Sequence, residues 1–151
     1  MATLAHHFQE GGSAMYGILC CALFGNPVAF AALIVAMGLG RVTIGLAPFV
    51  AAAPVSRMLG FPAAHDTPTA RLMARMFGVR DVGLGVLAFY AVLHPATAAF
   101  MFLFNAFMDA GDLVSIAVPL AKRQGIDRAA LQSSALAITG GLAWLAVWWA
   151  L

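Results

Sequence analysis

The sequence predicts an all-α integral membrane protein, an up-and-down four-helix bundle preceded by a short N-terminal interfacial segment. Of its 151 residues, 63% are hydrophobic and only 9% are charged, whereas about a quarter of the residues in a soluble domain are charged. The mean hydropathy is +0.93, and the apolar residues form long runs between short polar breaks. The alternation of apolar and polar residues that marks a membrane β-barrel is absent.

The chain length bounds the domain organisation. At about 20 residues for each spanning helix, the chain accommodates about four helices. This predicts a single transmembrane domain over residues 1–151, with the lipid bilayer as its main partner. The formal net charge of +2 comes from a few arginines beside helix ends. Such a distribution concerns orientation in the membrane, and we expect no nucleic-acid partner.

The first apolar run contains the interfacial segment and the first span. The run 14–53 is too long for one ordinary span and too short for two spans with a turn. Pro27 lacks a backbone donor and disfavours helix at Asn26. Residues 15–25 are therefore predicted to lie at the membrane surface or to re-enter it, and the first span to cover about 28–50.

Short breaks separate three further spans, predicted at about 70–93, 96–120 and 131–151. The breaks contain helix-start residues, prolines and polar turns: Pro62, Asp66, Thr67 and Pro68, then His94 and Pro95, then Lys122, Arg123, Gly125 and Asp127. The last span carries a tryptophan cluster, which is typical of an interfacial anchor: Trp144, Trp148 and Trp149.

The distribution of basic residues predicts the orientation. Lysine and arginine flank the first and third turns but not the second: Arg57, Arg71, Lys122, Arg123 and Arg128. The positive-inside rule places these two turns in the cytoplasm and both termini outside. We expect a multi-pass protein of the bacterial inner (cytoplasmic) membrane.

Several polar residues lie inside the predicted spans and need partners: Arg41, Arg75, Arg80, Asp81, Asn105, Asp109 and Asp112. Five of the charges lie about ten residues from the cytoplasmic helix ends, or about 15 Å at the helical rise. An ionised group facing lipid at this depth costs at least ~2.5 kcal/mol. The charges on the first three helices are therefore expected to meet at one level in the bundle interior.

Helical spacing assigns these residues to faces. Asn105, Asp109 and Asp112 follow i, i+4, i+7 spacing and share one stripe of the third helix. Gly45 and Gly85 lie on the charged faces of the first and second helices, where small residues let backbones approach or leave room for a ligand. Two aspartates one turn apart in a low dielectric are both ionised only if arginine neutralises them. Otherwise one keeps its proton.

These features predict a membrane-embedded site that binds a small apolar molecule. The candidate catalytic residues are Asp109, Asp112 and Asp81, with Asp109 favoured because it is deeper and shares its stripe with Asn105. A carboxyl held uncharged in a dry site can isomerise or cyclise an epoxide or an alkene. The candidate substrate-binding residues are Arg41, Arg80, Asn105, Gly45 and Gly85.

Two other functions fit the same residues. The carboxylates can act as a relay in a proton or ion pathway, although few polar residues lead from Asn105 toward His94. The charges can also form a satisfied ion-pair core that fixes helix register in a structural membrane subunit. Copies of the chain are then expected to assemble through glycine faces into a homo-oligomer.

Four stretches resemble a small bacterial membrane domain of unknown function related to the DoxX-like four-helix proteins: 40–48, 56–62, 74–81 with Gly83 and Gly85, and 109–112. The resemblance covers about residues 40–122. It implies a four-helix membrane fold and no established chemistry.

Two looser similarities concern shorter pieces. Residues 8–12 and 15–19 look like the N-terminal part of ExbB/TolQ-type proton-channel subunits. Residues 17–19 and 23–25, with His65 three residues before Pro68, are similar to styrene oxide isomerase. That resemblance implies haem bound through one histidine, for which His65 is the candidate, and no other metal ligand is indicated.

Overall fold

A computed structural model describes residues 25–151 of the protein as four α-helices and two 3₁₀ turns. The helices are α1 (Pro27–Met58), α2 (Pro68–Leu93), α3 (Ala98–Ala121) and α4 (Asp127–Trp149). The 3₁₀ turns are Ala63–His65 and Pro95–Thr97. All four helices are long and apolar enough to span a membrane, which confirms the predicted fold class. The predicted interfacial segment lies outside the described residues except for Gly25.

Side-chain caps start the first two helices where the sequence predicts. The Asn26 side chain accepts hydrogen bonds from the backbone N–H groups of Val28 and Ala29, and Pro27 occupies the first helical position. Thr67 does the same for α2 by accepting from the backbone N–H of Ala70. Both caps satisfy backbone donors that have no partner within the helix.

The first helix was predicted to end near residue 50, but it continues through a kink to Met58. Ala51 is the one residue in it with non-helical dihedral angles (φ −147°, ψ 54°). Pro48 and Pro54 lie on either side of it and cannot donate backbone hydrogen bonds. Missing donors bend a helix when the flanking turns still pack well. The start of α4 also differs from the prediction, because the helix begins at Asp127, four residues before the predicted residue 131.

Four glycines let α1 and α2 pack backbone against backbone. Gly38 faces Gly85, and Gly45 faces Gly78. A Cβ on Gly85 would lie 2.6 Å from the carbonyl oxygen of Gly38, and a Cβ on Gly45 would overlap the carbonyl oxygen of Gly78. The two glycines of each helix, Gly38 with Gly45 and Gly78 with Gly85, are seven residues apart, which is about two helical turns. Only glycine permits this approach.

The bundle consists of two helical hairpins, α1 with α2 and α3 with α4, joined by an apolar core near the His94 turn. All four helices contribute to the core: Ile34, Ala88, Ala91, Ala98, Phe102, Ala106, Trp144 and Val147. The rings of Phe102 and Trp144 are 5.8 Å apart. The predicted interfacial role is therefore wrong for Trp144, because it shares the buried inner face of α4 with Ala137 and Val147.

Candidate functional site

The charged residues lie at the middle of their helices. The midpoint of α2 falls between Arg80 and Asp81, and the midpoint of α3 falls directly after Asp109. Arg41 is within two residues of the midpoint of α1. The sequence-based prediction that these charges share one level is confirmed, and this level is the centre of the apolar span.

Arg41 joins three helices through two carboxylates. Its Nη1 donates to Oδ1 of Asp81 on α2 at 3.2 Å, and its Nη2 donates to Oδ2 of Asp109 on α3 at 2.5 Å. Both carboxylates and the guanidinium are largely buried. The guanidinium therefore occupies the space between Asp81 and Asp109.

Arg80 makes the second link. Its Nη1 and Nη2 donate to the two carboxylate oxygens of Asp112 at 2.7 and 2.8 Å, the bidentate geometry that gives the strongest arginine–carboxylate pairs. Its Nη2 also lies 3.6 Å from Oδ1 of Asp81, and its guanidinium carbon lies 5.3 Å from the centre of the Phe77 ring. The five charges thus form one chain of contacts, which we call the charged cluster: Asp109, Arg41, Asp81, Arg80 and Asp112.

The charged cluster contains one more carboxylate than guanidinium. Three aspartates face two arginines, and no other described basic side chain forms an ion pair with them. With every group ionised, the cluster carries one uncompensated negative charge. An uncompensated charge in a low dielectric is costly, and a proton or a bound group normally neutralises it.

Asn105 lies one turn from Asp109 on the same stripe, as predicted, but its hydrogen bond goes elsewhere. Its side chain is fully buried, and its Nδ2 donates to the backbone carbonyl of Met101 at 3.0 Å. Its Oδ1 has no hydrogen-bond partner among the described residues. Within the described part of the chain, Asn105 therefore offers a buried acceptor beside the charged cluster.

Gly45 and Gly85 lie on the charged faces, and both are used in helix packing. The side of Gly45 that could admit a ligand meets the backbone of Gly78 and Val82. The corresponding side of Gly85 meets Gly38 and Val42. Their small size holds α1 and α2 at the distance at which Arg41 reaches Asp81.

The fourth helix, α4, also contributes to the charged cluster, although no residue of it was predicted to do so. A Cβ on Gly140 would lie 2.9 Å from Oδ2 of Asp109, and a Cβ on Gly141 would lie 3.3 Å from the Cβ of Asp109. These two glycines therefore make room for the Asp109 side chain. The signal was present in the sequence as adjacent glycines inside an otherwise apolar span.

The histidine candidate and a second ion pair lie away from the charged cluster. His65 is exposed in the first 3₁₀ turn, and no group of three metal-ligating side chains occurs in residues 25–151. Next to it, Arg71 donates to both oxygens of Asp66 at 2.7 and 2.8 Å. These hydrogen bonds lower the pKa of Asp66. An exposed pair of this kind contributes little to stability.

Comparison with known proteins identifies a family. No curated protein and no solved structure matches the chain significantly. The resemblances to DoxX-like proteins, styrene oxide isomerase and ExbB/TolQ-type subunits stay predictions, and most residues of the last two lie outside the described part of the chain. The model of one family, described as a domain of unknown function (DUF4267), matches residues 38–151. This range contains the whole charged cluster and all four packing glycines, and the chain belongs to the DUF4267 family.

Proposed function

We propose that the charged cluster is a membrane-embedded acid–base site that binds a small apolar molecule. The observation that carries this proposal is the excess of one carboxylate over the two guanidiniums at the centre of the span. A proton on one aspartate removes the uncompensated charge. A buried carboxyl that holds a proton is a general acid, and after it releases the proton it is a general base.

The contact distances support Asp81 as the residue that holds the proton. Asp112 has a bidentate partner, and Asp109 has a short contact with Arg41. Asp81 lies 3.2 Å from Arg41, whose guanidinium also pairs with Asp109, and 3.6 Å from Arg80. Asp81 thus replaces Asp109, which its depth and its stripe with Asn105 favoured, as the first candidate for the acid.

This arrangement suits an isomerase or a cyclase. The carboxyl of Asp81 protonates the oxygen of an epoxide or one carbon of an alkene, and the resulting carboxylate later takes a proton from a neighbouring carbon. The proton count is unchanged over the cycle, as isomerisation requires. Arg41 and Arg80 stabilise the carboxylate formed in between.

The proposal is tested by measuring protonation and stability together. In infrared spectra of the wild type, we expect a carboxyl C=O band that shifts in D₂O. It should be lost in Asp81→Asn, and also in Asp109→Asn and Asp112→Asn, because each of these variants removes the excess carboxylate and lets Asp81 ionise. Asp81→Asn should change the free energy of unfolding by less than about 0.5 kcal/mol. Asp109→Asn and Asp112→Asn each break a direct arginine–carboxylate contact that Asp81, once ionised, replaces only at its longer distances, and each should cost about 1.5–3 kcal/mol.

The same variants separate the proposal from its alternatives. A wild-type protein without a protonated carboxyl, whose three asparagine variants lose stability alike, would show a structural ion-pair core instead. Small molecules extracted from protein purified in native lipid should be depleted in Asp81→Asn if the site binds a ligand. A proton pathway has less support, because the residues between the charged cluster and the His94 turn form the apolar core.

We also propose that the protein lies in the bacterial inner membrane with its basic turns in the cytoplasm. The prediction is tested with single cysteines at Ala63 and Gln124, both exposed in these turns, in a chain whose two native cysteines are replaced by serine. A membrane-impermeant thiol reagent should label both only from the cytoplasmic side. Ala96, exposed in the turn at the other end, is the control and should be labelled only from outside. The reverse pattern would invert the orientation.

We propose three finer assignments as well. Kinship with DoxX-like four-helix proteins would account for the bundle with charges at its centre. Haem ligation by His65 would give purified protein an absorption band. Homo-oligomers can use the outward faces at Gly40, Gly83 and Gly111, where no described atom lies within 4 Å of an added Cβ.

A further inference from the structure

One face of α2 changes from buried to exposed halfway along the helix. Met73, Phe77, Arg80, Leu84 and Ala91 recur at helical spacing on this face. Leu84 and Ala91 are 2% exposed, whereas Phe77 is 50% and Met73 is 46% exposed. Side chains of the same face are thus covered near the His94 turn and uncovered near the basic turns.

The facing side of α3 shows the same change. Ala98 and Asn105 are buried, whereas Ser115, one turn beyond Asp112, is exposed and Pro119, about two turns beyond it, is half-buried. The two helices therefore cover each other's side chains near the His94 turn and leave them uncovered toward the basic turns. We call this uncovered region between them the α2–α3 groove, lined by Met73, Phe77, Ser115 and Pro119, with the Arg80–Asp112 pair at its inner end.

The inner end of the α2–α3 groove is polar at the depth where the bilayer is most apolar. The side chains of Arg80 and Asp112 are 25% and 26% exposed, and both lie near the middle of their helices. Hydrocarbon cannot satisfy the outward lone pairs and donors of an ion pair, so lipid tails alone are a costly cover. A molecule with an apolar body and one polar end can cover the apolar side chains with its body and form hydrogen bonds to the ion pair with its end.

We propose that the α2–α3 groove admits, from the membrane, a neutral single-chain lipophile with a hydroxyl or carbonyl end group. This inference rests on the proposed function, because the groove leads to the charged cluster. The polar end lies at the Arg80–Asp112 pair, where the guanidinium donates to its oxygen and the carboxylate accepts from a hydroxyl. The chain lies along Phe77 and Met73.

The charge of the cluster selects a neutral end group. With one aspartate protonated, each guanidinium is matched by a carboxylate, so a carboxylate or phosphate end group would be a buried charge without an unpaired cation to contact. A hydroxyl or carbonyl compound needs no counter-ion and crosses the hydrocarbon region readily, because its polar group is small. The groove therefore discriminates against free fatty acids and anionic phospholipids.

The test uses a long-chain alcohol that carries a photoreactive diazirine, incorporated into vesicles with the full chain. Light should attach it to the α2 and α3 peptides that line the groove. Ser115→Trp fills the groove and should reduce this labelling about tenfold, the effect expected of an overpacked site. The matched control is Val114→Trp, the adjacent position, which is 70% exposed on another side of α3. It should leave labelling unchanged.

Two further probes define the end group. The corresponding diazirine alkane and fatty acid should label the groove about tenfold less than the alcohol, if the polar end contributes as one hydrogen bond to a charged group. Equal labelling by alcohol and alkane, or equal labelling of the two tryptophan variants, would overturn the proposal.

Other outcomes distinguish the occupants and the underlying function. Disulfide-linked dimers of Phe77→Cys formed at native lipid ratios, with no alcohol labelling, would assign the groove to a second copy and overturn the inference. Loss of alcohol labelling while the Asp81 carboxyl band persists would reject the groove alone. Absence of that band would reject the proposed function, whatever the labelling shows.

Discussion

Replacement of Arg41 by methionine is expected to lower the free energy of unfolding by about 3–5 kcal/mol, the cost of breaking a buried ion pair. Arg41 is the one described cation that contacts Asp109, and it makes the shortest contact to Asp81. Methionine retains much of the volume and removes the charge. Three carboxyl groups then face Arg80 alone, at the centre of the span.

This prediction is measured by reversible unfolding in mixed detergent micelles. Arg57→Met is the control, since Arg57 is exposed and its Nε donates only to the backbone carbonyl of Ala53 in its own helix. The control should stay within about 0.5 kcal/mol of wild type. Adding Asp109→Asn to Arg41→Met should recover part of the loss, because one orphaned carboxylate is removed. Equal stability of Arg41→Met and Arg57→Met would show that the charged cluster does not hold the helices together.

Gly45→Val is expected to separate α1 from α2 and to cost about 1–3 kcal/mol or more, as overpacking of a tight interface does. Its Cβ would overlap the backbone of Gly78 and Val82, and backbone cannot move aside as the end of a side chain can. The displacement also pulls Arg41 away from Asp81. The substitution therefore weakens both the contact between α1 and α2 and the ion pair between Arg41 and Asp81.

Gly40→Val is the matched control, because Gly40 lies in the same helix and no described atom would be within 4 Å of its Cβ. Unfolding in the same micelles should show a loss for Gly45→Val only. A double-cysteine distance measurement across α1 and α2 should show a wider separation in that variant. Similar behaviour of the two valine variants would refute the glycine contact as the basis of the hairpin.

The spans and their polar breaks could be predicted because they follow from local rules. A proline with a preceding asparagine or threonine starts a helix wherever it occurs, so the starts at Pro27 and Pro68 were predicted within two residues. The end of α1 was not, because proline marks both a helix end and a kink. Which of the two occurs at Ala51 depends on what the following turns pack against.

The sequence by itself predicted that Arg41, Arg80, Asp81, Asp109 and Asp112 meet at one level, because helical rise places them at a similar depth and the cost of charge in lipid favours contacts between them. Only the tertiary structure decided which carboxylate each guanidinium contacts, since that depends on how α1, α2 and α3 rotate and approach. The same reason places Trp144 in the core and Gly140 against Asp109. Depth is a property of one helix, whereas pairing is a property of several helices packed together.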